Sequence, residues 1–244
     1  MKFKCLVVVL VCLNTLSALA ANKKAASESM ELVPTFWAAF MRGNVVVNGQ
    51  KADIQRDTWD YYKDLSMGGS LELALRNRSM VVIGSVDYFD NISSDVITGG
   101  QEGRLETSEM IGCIAIGYPF APPGGKTTFD ALFGFQWQEM ENQLTVNGTK
   151  NRSKTDIYDS VIMFRIKTQL GGKLFLNVPL SFGLSYLGES DFVYDAGLQL
   201  VYQFTKTFDA RAGYRISGYD YQEDANNKWD YYQQGYTLGL GLTF

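Results

Sequence analysis

The chain of 244 residues contains no histidine. Near neutral pH a serine or a water is a weak nucleophile unless a neighbouring base takes its proton, and histidine most often does so. Chemistry of that kind is therefore disfavoured, and no Cys/His cluster exists to hold a transition metal. Cysteine is almost as scarce. Of the three, Cys5 and Cys12 lie in an apolar leader, so Cys113 stands alone and no internal disulfide is expected. Without a histidine partner Cys113 reads as a buried, inert thiol rather than a nucleophile. Long apolar runs are missing too. Nothing after Ala20 approaches the roughly 18 apolar residues that a membrane helix needs, so the chain can enter a bilayer only as a closed sheet. Basic residues are in the minority: 22 Lys and Arg stand against 26 Asp and Glu. Without Lys2 and Lys4 of the leader the balance is 20 against 26, or −6. A modestly acidic chain argues against a nucleic-acid partner.

The leader is Met1 to Ala20. Lys2 and Lys4 open it, Cys5 to Leu16 is largely apolar, and Ala18-Leu19-Ala20 is a small-x-small cleavage site. This pattern predicts a secretory signal peptide over residues 1–20. Cys12 lacks the preceding small residues of a lipoprotein signal. Residues 21–34 are expected to form a flexible N-terminal segment, and residues 35–244 one all-β domain. Its composition, with 24 Gly, 14 Tyr, 15 Phe and 5 Pro, suits strands and turns.

The last stretch sets the pattern. From Tyr232 to Phe244 the even positions read Tyr, Gln, Tyr, Leu, Leu, Leu, Phe, and the odd ones Gln, Gly, Thr, Gly, Gly, Thr. Side chains alternate across a strand, so one face is apolar and the other small and polar. Large residues outside and glycines inside fit a closed barrel in lipid. The same alternation recurs upstream and predicts ten strands: 35–47, 69–76, 79–89, 105–118, 129–137, 156–170, 174–186, 192–204, 208–216 and 232–244. Eight is the alternative. Short turns at Asn77, Pro122, Gly171 and Thr205 alternate with longer connections at Asn48, Asp90, Glu139, Gly188 and Gly218. The segments 90–104 and 139–155 read as long polar loops. Since the longer connections of such barrels face outside, this asymmetry also orients the chain. One short helix is expected after the first strand, where Asp57 is a fair N-cap and Trp59, Tyr62 and Leu65 follow at spacing three.

Thr237, Gly239, Leu242 and Phe244 fall where the C-terminal barrel-assembly signal of bacterial outer-membrane barrels has a polar residue, glycine, a hydrophobe and a terminal aromatic. With Arg211-Ala212-Gly213-Tyr214-Arg215 before Tyr219-Asp220-Tyr221, with Gly43-x-Val45-x-Val47-x-Gly49, and with the hairpin Glu72 to Arg78, the chain resembles small Gram-negative outer-membrane β-barrels of the OmpA-like transmembrane type. It departs from them where Leu75 intervenes between Ala74 and Arg76. The resemblance implies an up-and-down antiparallel transmembrane β-barrel in the outer membrane, reached by signal-peptide export. It further implies the barrel-assembly machinery as a partner during biogenesis and outer-membrane lipid and lipopolysaccharide as surroundings. It implies no reaction and no cofactor. Barrel lipases, lipid A deacylases, palmitoyl-transferases and omptin-like proteases resemble one another in needing a catalytic histidine, which this chain lacks.

Charge on the inward face is the remaining signal. Glu72, Glu109, Asp130, Asp195 and Asp209 share it with Arg165, Lys167, Arg211 and Arg215. Carboxylate chemistry is one reading of these acids. An ion-pair network that fills and stiffens a small lumen is the reading preferred. Acids at Asp90, Asp95, Glu102, Glu106, Glu139 and Glu141 are expected to be solvated, with calcium or a divalent bridge to lipopolysaccharide phosphates as the sharper alternative. The expected function is a non-enzymatic barrel with a structural or surface-interaction role, its outer loops meeting an extracellular ligand. A narrow channel for ions or small solutes is the second reading. A soluble carrier is disfavoured by the apolar stripes it would expose to water.

Overall fold

The computed structural model describes residues 29–54, 66–120 and 125–244, with the backbone alone for residues 91–94 and 184–188. The leader and the expected helix Asp57 to Leu65 fall outside the described residues. Eleven strands follow in chain order: β1 (Ser29–Val47), β2 (Gln50–Ile54), β3 (Ser66–Arg76), β4 (Val81–Thr98), β5 (Gln101–Phe120), β6 (Thr127–Val146), β7 (Thr149–Gly171), β8 (Leu174–Gly188), β9 (Phe192–Gln203), β10 (Phe208–Gln222) and β11 (Lys228–Thr243). Each pairs antiparallel with its neighbours, and β11 pairs back onto β1, which closes the sheet. Closure removes the edges that an open sheet would leave unpaired in lipid.

Among the described residues the barrel has ten staves, because β2 and β3 share one. The outer part of β1, Gly43 to Val47, pairs with β2, and Ser29 to Ala39 pairs with β3. The expected count of ten strands therefore stands. The seam where the chain closes also carries a tie at its end: the Phe244 amide donates to the Met30 carbonyl at 2.8 Å.

Polarity inverts along the barrel axis, and this inversion shapes the whole molecule. On β5 the outward positions Ile114, Ile116, Tyr118 and Phe120 are exposed and apolar, whereas Glu102 and Arg104, farther up the same face, are charged. The inward face does the reverse. Leu105 is fully buried beside Thr107 and Glu109. β6 repeats the switch: Phe133 and Phe135 face outward below Glu139 and Glu141, while Met140 and Leu144 are fully buried inside. The lower half is built for lipid and the upper half for water. Aromatic pairs mark both rims of the apolar band, Phe135–Tyr158 and Tyr214–Tyr236 above, Phe120–Phe129 and Phe204–Phe208 below, as interfacial girdles do.

This upper half corrects two expectations. The segments 90–104 and 139–155 are not loops. β4 runs on to Thr98 and β5 starts at Gln101, while β6 and β7 meet at Asn147-Gly148. Both residues of that turn, and of Asn48-Gly49, have φ between 49° and 80°, the two-residue hairpin geometry that Asn-Gly favours. A one-residue register shift between Phe89 and Ile92 keeps the pairing of β4 with β5 in step past the inversion. Consequently the connections expected at Asp90 and Glu139 reduce to two-residue turns at Gly99-Gly100 and Asn147-Gly148, and the asymmetry used for orientation lies there in strand length instead. β1 also begins earlier than expected, at Ser29, so the end of the segment taken as flexible is barrel wall.

The upper half closes on itself. The β8–β9 hairpin stops low, with Gly188 opposite Asp159, so the rest of β7 rises beyond it. The β1–β2 turn and residues 223–227 lean across to meet β7. Asn48 Nδ2 donates to the Arg152 carbonyl at 3.1 Å, and Asn151 Nδ2 donates to Gln50 Oε1 at 2.8 Å. Ser153 Oγ approaches Asn227 Oδ1 at 3.4 Å, and the Gly49 amide donates to the Asn226 carbonyl at 2.8 Å. Beneath this lid lies an apolar core in which Val47, Leu105, Leu144, Trp229 and Met140 are wholly buried. Tyr221 stacks on Trp229 at 5.2 Å.

Candidate functional site: the charged lumen

Alternation places the lumen groups. Asp209, Arg211, Gly213 and Arg215 fall on one face of β10 because they are two residues apart. Space for them comes from the facing glycines of β11. A side chain at Gly241 would put its Cβ 2.4 Å from the Asp209 carboxylate, so only glycine lets that acid and Arg211 lie against the wall.

The charges sort into tiers along the axis. In the lowest, Arg165 donates to Glu72 at 2.6 Å and lies 3.5 Å from Asp130, which also bonds Arg76. Arg211 donates through Nε to Asp209 at 2.8 Å and through Nη2 to Glu31. Lys167 reaches the same Glu31 at 3.7 Å and sits over the Phe175 ring. Four carboxylates (Glu31, Glu72, Asp130, Asp209) thus meet four cations (Arg76, Arg165, Lys167, Arg211), 4 − 4 = 0. In the next tier Arg215 spans Asp87 and Asp195, both at 2.6 Å, with its guanidinium 4.5 Å over Trp37. Trp37 in turn meets Phe89 edge-on.

The third tier holds Glu109, buried to about 1 % exposure. Its partners are neutral. Gln138 donates to one oxygen and Gln233 to the other, and the Tyr231 hydroxyl donates at 3.2 Å. Gln233 and Tyr231 stand on β11 and Glu109 on β5, so these bonds staple distant walls across the lumen. Above them the apolar core begins.

All nine expected lumen residues face inward, and eight of them stand in ion pairs; Glu109 does not. Three charged members went unnamed from sequence. Arg76 and Asp87 lie on the inward parity of their strands, which is the signal that finds them. Glu31 lay in the segment assigned to a flexible start. Cys113 is buried, as expected, and faces the lumen, with Sγ 3.9 Å from Met163 Sδ. Of the expected assembly signal, Thr237 and Gly239 line the inside of β11 while Leu242 and Phe244 are exposed outside.

Chemically, the network neutralises and fills. Each carboxylate of the lower two tiers is bonded to a guanidinium or ammonium, an arrangement that holds opposite walls rather than one that frees a base. Among the described residues no group of three or more carboxylate or thiolate side chains is arranged to hold a metal ion.

No protein-family model matches the chain, and no curated protein matches its sequence. Its fold is similar to that of the outer-membrane protease OmpT of Escherichia coli, with a TM-score of 0.60 at 8% identity, over 91% of this chain and 98% of that one. Looser likenesses are to Ail, the attachment invasion locus protein of Yersinia pestis (TM-score 0.40, 14% identity, 90% and 100% covered), and to Neisserial surface protein A (0.36, 9%, 88% and 97%). The fold is that of the small Gram-negative outer-membrane β-barrels.

Proposed function

We propose that this chain is a non-enzymatic outer-membrane barrel whose lumen is filled by its own side chains and whose upper half forms a folded platform at the cell surface. The observation that carries the reading is the inverted polarity. Below the girdle the barrel shows lipid an apolar band, and above it a charged exterior encloses a largely apolar core that caps the lumen. A channel needs a continuous polar path, and here the ion pairs of the lower tiers lead into Leu105, Leu144 and Trp229. A protease or acyl-transfer role is disfavoured because the chain has no histidine and its lumen acids are bonded to cations or amides. Lipopolysaccharide and an extracellular ligand are the partners that the platform would meet. On its outer face Lys150, Arg152 and Lys154 form an exposed row along β7, and Lys154 bonds Glu139 at 2.9 Å, which raises its ammonium above the ordinary value.

Placement of this platform is tested with single cysteines at the two ends of the barrel. Intact cells carrying Lys150→Cys are expected to react with a membrane-impermeant maleimide. Cells carrying Lys206→Cys, in the turn between β9 and β10, are expected to react only after the outer membrane is opened. Buried Cys113 stays silent in both. Labelling of Lys206→Cys but not Lys150→Cys on intact cells would invert the orientation, and recovery of the chain in the soluble fraction would remove the barrel from the membrane.

A further inference from the structure

Cations at the two ends of the barrel are used differently. On the upper exterior Lys51, Arg104, Lys154 and Lys228 each meet an acid: Asp53, Glu106, Glu139 and Asp220. At the lower end each tight turn carries one basic residue, Arg78, Lys126, Lys173 or Lys206, and no acid among the described residues. All of these are exposed, and none stands in an ion pair among the described residues. Unpaired positive charge at the margin of an apolar band is complementary to anionic lipid headgroups.

A second observation lies on the outer wall beside two of these cations. There the lipid-facing surface is hollowed by an apolar groove of about 820 Å³, within the size of ordinary ligand sites. It starts at Leu174, the residue after Lys173, and passes over Tyr202, Ala210, Leu240 and Phe36 to Gly69. In the ladder Leu174 faces Tyr202, Tyr202 faces Ala210, and Ala210 faces Leu240, so the groove follows a row of neighbours across the strands. From β8 to β3 it crosses five strand spacings. At about 4.8 Å each that is roughly 24 Å. One acyl chain reaches through half of the roughly 30 Å hydrocarbon core, so the groove has room for a whole chain. Its lower mouth is the basic end. Lys173 Nζ donates to the Phe204 carbonyl at 2.8 Å, which brings that ammonium to the turn holding Lys206.

We propose that this groove binds one anionic phospholipid, with an acyl chain along it and the phosphate between Lys173 and Lys206. The proposal rests on the barrel's place in a membrane and needs nothing of the surface platform. The lysines set the headgroup preference, because a zwitterionic lipid brings its own cation to the phosphate and an anionic one does not. Each lysine near an anionic headgroup contributes about fivefold in affinity, so the pair selects by about 20-fold.

The test titrates the folded mature chain in detergent micelles with dioleoyl phosphatidylglycerol or dioleoyl phosphatidylcholine. Native mass spectrometry counts the lipids on each barrel. Phosphatidylglycerol is expected to give one distinct, saturable first adduct, about 20-fold tighter than phosphatidylcholine with the same chains. The double variant Lys173→Gln, Lys206→Gln should lose that preference, and Arg78→Gln, in the turn across the rim, should keep it. Ala212→Phe, which fills the groove, should weaken both lipids. Equal binding of the two lipids, or no distinct first adduct, would overturn the site and leave only bulk lipid on this wall. A preference that survives in the double lysine variant, or falls equally in Arg78→Gln, would overturn it in favour of general attraction to the rim. The substituted lysines stand in exposed turns, so the charge comparison decides even where Ala212→Phe fails to fold. A chain that stays soluble without detergent would instead remove the membrane barrel itself.

Discussion

Replacing Arg165 with leucine is expected to destabilise the folded barrel by about 3–5 kcal/mol, the usual cost of taking one partner from a buried ion pair. Arg165 is nearly buried and holds two acids, Glu72 at 2.6 Å and Asp130 at 3.5 Å. Without it Asp130 keeps Arg76, but Glu72 loses the cation that compensates it. The penalty is that of the stranded charge, not of the lost attraction. The double variant Arg165→Leu, Glu72→Leu should therefore be more stable than the sum of the two single changes implies, because removing both charges together strands neither. Urea titration of the refolded protein, followed by the heat-modifiable mobility of the folded band, measures both. Strictly additive effects would show that the pair is solvated and the lumen wetter than described.

Trp229→Ala is expected to cost a similar amount, about 3–5 kcal/mol, but in a different place. Trp229 is wholly buried under the lid and stacks on Tyr221. Its removal leaves a cavity among Leu105, Leu144 and Val47 that the hairpins cannot fill by collapsing, since Asn48, Asn151 and Ser153 tie them together above it. The membrane half has its own ion pairs and lipid around it, so it should stay folded. Limited proteolysis of the barrel in lipid should then cut the variant within its upper hairpins while the membrane staves remain protected. A variant as resistant as the parent would mean that the upper half owes little to its apolar core.

How much of this could be read beforehand follows from the physics of each half. In the lipid half large outward residues alternate with small or charged inward ones, and the two faces of β11 and the inward charges of β9 and β10 follow from that alternation alone. The upper half obeys the same period with the faces exchanged. Glu139, Glu141 and Gln143 then look like loop polarity, although Met140, Asn142 and Leu144 between them carry the alternation of a soluble strand. Asn147-Gly148 and Asn48-Gly49 were the local evidence that these were hairpins. The charged lumen was legible because a lone charge on an otherwise apolar strand must face inward. The tiering was not, since Glu109 meets Gln233 and Tyr231 across the barrel, over separations of 124 and 122 residues. No local pattern carries that pairing.

A lumen sealed first by ion pairs and then by an apolar core conducts no ions. Single-channel recording of the refolded mature chain in a planar bilayer tests it most directly, with insertion of folded barrel verified by its heat-modifiable band. A folded, inserted and electrically silent protein is the expected result. Discrete, reproducible conductance steps that change when Arg215 or Arg211 is neutralised would contradict it and make the barrel a pore.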